Sequence, residues 1–145
     1  MKTILASWLF WALLSAAFAA MTAILAKAGV ASVNADFATF IRTLVIVAML
    51  AGIVVATGQW QPLLSVSGRT YGFLALSGLA TGASWLCYFR ALKLGEASRV
   101  APVDKLSVVL VAVFGATILG ERLAIVNWIG VALIAAGAVL VAVKV

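Results

Sequence analysis

Histidine is absent from this sequence, cysteine occurs once, proline twice, and Asp and Glu together only four times in 145 residues. Each shortage removes a class of function. With no imidazole, a single thiol and four scattered carboxylates, the chain cannot assemble a nucleophile beside a base or a His/Cys metal site. We therefore expect no enzyme, no cofactor and no metal. Cys87 lies inside an apolar run and has no second thiol to pair with, which excludes a disulfide framework within the chain. Charged residues amount to 10% of the sequence, too little polar surface to cover a water-soluble core. The net charge of +6 does not mark a nucleic-acid binder, because the Lys and Arg residues stand singly at the edges of apolar runs and form no patch.

What the sequence has in excess is apolar length: 66% hydrophobic residues and a mean hydropathy of +1.26. Five apolar segments emerge, at about residues 3–26, 35–57, 70–92, 100–119 and 123–143. Each spans roughly 30 Å of hydrocarbon at about 1.5 Å per residue. The breaks at 29–34, 58–68, 95–98 and 120–122 carry Gly, Asn, Pro and Ser, the residues of turns. These connections are short, so neighbouring helices run antiparallel. The runs do not alternate apolar with polar residues, which excludes barrel strands. The expected fold is an all-α integral membrane protein, a five-transmembrane-helix bundle forming one domain over residues 1–145.

The N-terminus imitates a secretory signal, with Lys2, an apolar run and the small-x-small triplet Ala17-Phe18-Ala19. The run continues to Ala26 before Lys27, a full bilayer crossing, so the segment is expected to be retained. Five crossings place the ends of the chain on opposite faces. The N-terminal face carries Lys2, Arg69 and Arg122, and the C-terminal face Lys27, Arg90, Lys93, Arg99 and Lys144. This modest bias favours a cytoplasmic C-terminus in the plasma membrane. Trp8, Trp11, Trp60, Tyr71 and Trp128 lie toward the other face, as an interfacial aromatic belt would place them. Small residues at four-residue spacing, such as Ala48, Gly52 and Ala56, allow close helix packing within the chain or between chains.

Polar residues inside the crossings mark the candidate site. Ser77, Thr81, Ser84 and Tyr88 recur at intervals of four, three and four, so they line one face of the third helix, with Trp85 beside them. Hydroxyls in hydrocarbon need partners, and this stripe is expected to face a wetted cavity. The alternative is that each bonds back to its own helix carbonyls. The first helix carries a weaker stripe of Trp8, Trp11, Ser15 and Thr22, in which Trp11 offers an aromatic wall for an apolar or cationic solute. A charge near the bilayer centre costs about 2.5–3.5 kcal/mol, and Arg42, Asp104 and Lys105 are the three to explain. Arg42 lies about 12 Å along its helix from Asn34, and Asp104 about 8 Å from Arg99. Both reach back toward the same membrane face, so an Arg42–Asp104 pair is one expectation. Snorkelling to the headgroups is the other. Asp104 and Lys105, adjacent on a helix, diverge by about 100° and cannot both face one partner. Pro102 is expected in the first turns of the fourth helix, and Glu121 at its end, beside Arg122.

The run Tyr88-Phe-Arg-Ala-Leu-Lys-Leu-Gly-Glu-Ala-Ser-Arg-Val-Ala-Pro102, followed by Gly120-Glu121-Arg122-Leu123, resembles the EamA repeat of the drug/metabolite transporter superfamily. A glycine-bearing last helix (Gly130, Gly137) and a first helix ending Ala26-Lys27-Ala-Gly29 extend the resemblance over essentially the whole chain. Asp104-Lys105-Leu-Ser107 is similar to the small single-repeat bacterial and archaeal subgroup. The resemblance implies that most relatives carry ten helices as two inverted halves around a cavity, and that this chain supplies one half. A parallel or antiparallel homodimer, or a heteromer, would supply the other. It further implies a cavity lined by the first, third and fourth helices, which adds Ser107 to the candidates. The first helix lacks the buried Glu of the small multidrug exporters, leaving Asp104 as the one deep carboxylate. The expected function is transport of a small metabolite or drug-like solute across the lipid bilayer. The competing reading is a non-transporting membrane subunit that stabilises a partner.

Overall fold

The computed structural model of the protein describes residues 7–143. These form α1 (Trp8–Val30), α2 (Ala35–Ala56), a 3₁₀ turn (Leu63–Ser65), α3 (Gly68–Leu94), α4 (Ala97–Asp104), α5 (Ser107–Thr117) and α6 (Ile125–Ala142). The described residues contain no strand. Together α4 and α5 make one crossing, so five helical crossings are long and apolar enough to span a bilayer. The expected start of the first crossing, at residue 3, lies outside the described residues.

Local chemistry sets the helix ends. Asn34 caps α2, its side-chain oxygen accepting from the backbone N–H groups of Asp36 (2.9 Å) and Phe37 (3.3 Å). Ser67 caps α3 through its hydroxyl, which accepts from Thr70 N–H at 3.2 Å. The Tyr71 hydroxyl donates to the Leu63 carbonyl at 2.7 Å and ties the preceding turn to this cap. At the end of α5, Gly120 adopts φ +71°, the left-handed conformation that glycine accepts readily at a helix end. The Glu121 N–H then reaches the Gly115 carbonyl at 3.0 Å, satisfying a carbonyl that the helix leaves open.

Two ends differ most from the sequence reading, by three or four residues, and the other ends expected within the described residues differ by at most two. The first helix continues to Val30 rather than stopping at Ala26. Lys27 does not break it, because a cation in the last turn suits the negative helix end and its flexible stem turns the amine toward a carbonyl. The fourth crossing begins at Ala97 rather than Val100, which puts Pro102 inside α4 and not at its entry. Proline removes one ladder donor and crowds the preceding turn. The helix stops at Asp104, two residues after Pro102. Short i→i−3 bonds follow, from Leu106 N–H to Val103 (3.0 Å), Val108 to Lys105 (2.9 Å) and Val109 to Leu106 (3.0 Å), before α5 resumes.

The chain divides into two compact units, Leu25–Lys93 and a second formed by Met1–Ile24 with Leu94–Val145. In the first, the buried residues Ala26, Val30, Ala35, Thr39, Phe89 and Leu92 all lie where the end of α1, the start of α2 and the end of α3 converge. Leu92 and Val30 are the most completely enclosed. In the second, α6 packs on α4 and α5, and the buried positions Ala23, Gly115 and Ala138 are all small. Elsewhere the crossings leave large apolar side chains uncovered, Leu44, Leu79, Val111 and Leu133 among them. In water such faces would aggregate; in a bilayer they are the expected lipid contact.

Candidate functional site

The charged residue furthest from a helix end in the Leu25–Lys93 unit is Arg42, the eighth residue of α2. Its guanidinium lies 3.9 Å from the ring centroid of Trp85 and 5.5 Å from that of Phe89, both on α3. Trp85 and Phe89 are four residues apart, so they share a helix face and present two aromatic surfaces to one cation. Stacking of this kind recovers about 0.5–2 kcal/mol. That is less than the insertion cost of an arginine at mid-membrane, so the rings alone do not account for the charge. Arg42 is half-buried, as are Trp85 and Tyr88, while Ser77, Thr81 and Ser84 are exposed on the chain. Thr81 donates to the Ser77 carbonyl at 2.9 Å. For this residue the back-bonded alternative therefore holds, and its hydroxyl hydrogen is occupied. Thr39, Thr43, Thr57 and Thr117 do the same toward the carbonyl four residues before them, each at 2.8 Å.

A second polar cluster closes one end of the same unit. Arg90 donates through Nε and Nη2 to the two carboxylate oxygens of Asp36, at 2.9 and 2.8 Å, joining α3 to the first turn of α2. This two-pronged contact uses the planar fork that arginine has and lysine lacks. Lys27 donates to the Leu92 carbonyl at 2.6 Å and Lys93 to the Val33 carbonyl at 2.8 Å. Three basic residues that the sequence offered as topology markers thus also hold helix ends together. The Asp36–Arg90 pair is open to solvent, so its contribution is tested as a coupling. Asp36→Asn and Arg90→Gln should each lower the melting temperature in detergent slightly, and the double variant by less than the sum of the two, because either single change already removes the pair. A double effect equal to the sum of the two single effects would mean the pair carries no coupling.

In the second unit the polar groups gather at the break in the fourth crossing. Asp104 ends α4, and Lys105 Nζ contacts its carboxylate at 3.3 Å. The expected divergence of the two side chains presumed a continuous helix; with α4 ending at Asp104, the lysine stem folds back over its neighbour. Arg42 and Asp104, the pair the sequence pointed to, belong to different units; within its own unit Arg42 meets Trp85 and Phe89, and Asp104 meets Lys105. Ser107 is the first residue of α5 and is exposed. Trp11 packs edge-on against Phe10 at 5.5 Å and 78°, and Ser15 lies exposed one turn further along α1. Arg99 donates to the Ala142 carbonyl at 2.7 Å, capping the end of α6. Glu121 folds over Gly115, its Oε2 lying 2.7 Å from where a β-carbon would stand, so a larger residue there would displace it.

Asp36 and the Arg42–Trp85 stack were not singled out by sequence reasoning. A signal for the first existed: Asp36 and Arg90 are opposite charges within a turn of helix ends that short loops bring to one face. The stack had none, because helix spacing says which residues share a face but not which faces meet.

Residues 6–143 match the model of the EamA-like transporter family. The chain is also 69% identical, over 137 residues, to a Sinorhizobium sp protein described as an uncharacterized transporter in cobO 3'region. That match covers 94% of this chain and 97% of the relative. No solved structure matches. With five apolar crossings, polar groups set within them and the family match spanning nearly every residue, this chain is a multi-pass membrane protein and belongs to the EamA-like transporter family.

Proposed function

We propose that the protein is a half-size transporter protomer that moves a small metabolite or drug-like solute across the plasma membrane, working as a dimer. The observation that carries this reading is the uncovered hydroxyl face of α3. Ser77, Thr81 and Ser84 sit in a membrane crossing, yet the chain's own side chains leave them exposed. A second copy facing this stripe gives the hydroxyls a wet partner and closes a passage between the two chains. The relative described as a transporter supports the reading, since this chain matches it almost end to end.

The break in the fourth crossing adds to it. Discontinuous helices recur at transporter binding sites because the interruption frees backbone groups at membrane depth. Here the interruption falls at Asp104 and Lys105, so charged side chains and an irregular backbone occur together. Trp11, Ser15 and Ser107 in one unit, and Arg42, Trp85 and Tyr88 in the other, are the further candidates for solute contact. A C-terminus on the cytoplasmic face follows the charge bias.

Reconstitution tests this directly. Purified protein in liposomes should exchange at least one labelled solute from a panel of neutral, cationic and anionic metabolites faster than empty liposomes. Folded, incorporated protein that moves none of them would favour the non-transporting subunit. A reporter fused after Val145 reads the assembly: one orientation is expected of a parallel dimer or a heteromer, two of an antiparallel homodimer.

A further inference from the structure

Among the described residues, no carboxylate pairs with Arg42. Between Leu25 and Lys93 the basic residues are Lys27, Arg42, Arg69, Arg90 and Lys93, and the one acid is Asp36. Both oxygens of Asp36 are taken by Arg90. Among the described residues, the two ion pairs are Arg90–Asp36 and Lys105–Asp104, and Arg42 is in neither. Its contacts are with the rings of Trp85 and Phe89. A guanidinium that stacks on an aromatic ring uses its flat face, whereas its N–H donors point outward in its own plane. A guanidinium carbon 3.9 Å from the Trp85 ring centroid lies within stacking distance, an arrangement that leaves the fork available. An available fork in a half-buried setting is suited to recognise two oxygens of one planar or tetrahedral oxyanion.

We propose that Arg42, held against Trp85, is the anion-recognition residue of the passage and binds the carboxylate or phosphate oxygens of an organic anion. This deepens the transporter reading and rests on it for the word passage. The same fork would also take the phosphate of a lipid headgroup, since Arg42 lies only about two turns from the start of α2. The occupant assigned here is the solute, and the lipid is separated by experiment. An arginine kept for snorkelling alone needs no aromatic platform at 3.9 Å, because a mobile side chain reaches headgroups better than a fixed one.

Calorimetric titration of the purified protein tests it in two media: a maltoside detergent, which contains no phosphate, and phosphatidylcholine nanodiscs. The probes are acetate, benzoate and phenyl phosphate, with acetamide and benzamide as neutral counterparts. At least one anion should bind with an affinity tenfold or more above its neutral counterpart, in both media. Arg42→Gln should abolish that preference and Arg42→Lys, which keeps the charge but loses the fork, should weaken it about tenfold. Arg69→Gln, removing a cation that lies 5.8 Å over Phe73, should leave it unchanged. If Arg42→Gln fails to fold, the anion-to-neutral ratio of the unaltered protein and the Arg42→Lys variant still decide. Binding in detergent that vanishes in nanodiscs would hand the fork to lipid phosphate and overturn the solute assignment. Equal binding of anions and amides, no anion binding, or an equal effect of Arg69→Gln would overturn the proposal altogether. Because these titrations read binding and the liposome assay reads flux, anion binding without flux would fault the transporter reading and leave the Arg42 assignment standing.

Discussion

Phe89→Ala should cost about 3 kcal/mol of stability and Leu92→Ala about 2 kcal/mol. Both residues are buried, Leu92 completely. A large-to-small change in a water-surrounded core loses a transfer contribution and a cavity contribution. In a membrane the first shrinks, because lipid tails are as apolar as leucine. What survives is the lost dispersion around an unfilled hole. That argument selects the low end of the usual ranges for these changes. Phe89 loses more, since its ring is larger and also lies under Arg42. Leu79→Ala is the control, on the same helix but 71% exposed, and should stay within about 0.5 kcal/mol. Unfolding in mixed micelles by a denaturing detergent measures all three. Equal effects at Leu79 and Leu92 would mean that the convergence of helix ends is not where this unit is held.

Lys27→Met should cost about 1.5–3 kcal/mol, the contribution of a hydrogen bond from a charged donor in a partly buried setting. Methionine preserves the apolar stem and removes only the charged head. The bond at stake runs from the amine to the Leu92 carbonyl, near the end of α3, where the helix has no further N–H groups to offer. Lys93→Met removes a similar bond, to Val33, from an exposed amine, and water replaces it readily. Its cost should be below about 1 kcal/mol. The same micelle titration ranks the two. If Lys93 proved the more costly, the basic residues at this end would be acting through surface charge and not by tying helix ends.

The crossings were legible because their signal is length, and a bilayer imposes length on any helix that spans it. Their ends were less so. Lys27 reads as a boundary when treated as a charge entering lipid, and as helix when its stem and its carbonyl partner are known. Pro102 reads as a start because proline is tolerated there, yet α4 begins five residues before it and breaks after it. Backbone hydrogen bonding decided that outcome, and it is invisible to a count of apolar residues. The polar candidates were found by spacing alone, which placed Ser77, Thr81, Ser84 and Tyr88 on one face of α3. Spacing did not reveal that Thr81 bonds to its own helix, or that Trp85 serves Arg42. Those facts depend on rotamers and on which helix lies opposite. Asp36 was overlooked because a carboxylate two residues past a helix cap looks like ordinary dipole chemistry; its true partner is 54 residues away.

The passage itself is tested most directly by reading water along α3. Cys87→Ser removes the native thiol, after which single cysteines at Ser77, Thr81, Ser84 and Leu79 can be probed in liposomes with a membrane-impermeant thiol reagent. Labelling at 77, 81 and 84, with Leu79 on the opposite face unreactive, is the predicted result. Uniform silence at all four positions, in protein shown to be inserted and folded, would mean that the hydroxyl face meets lipid and that no passage runs beside it.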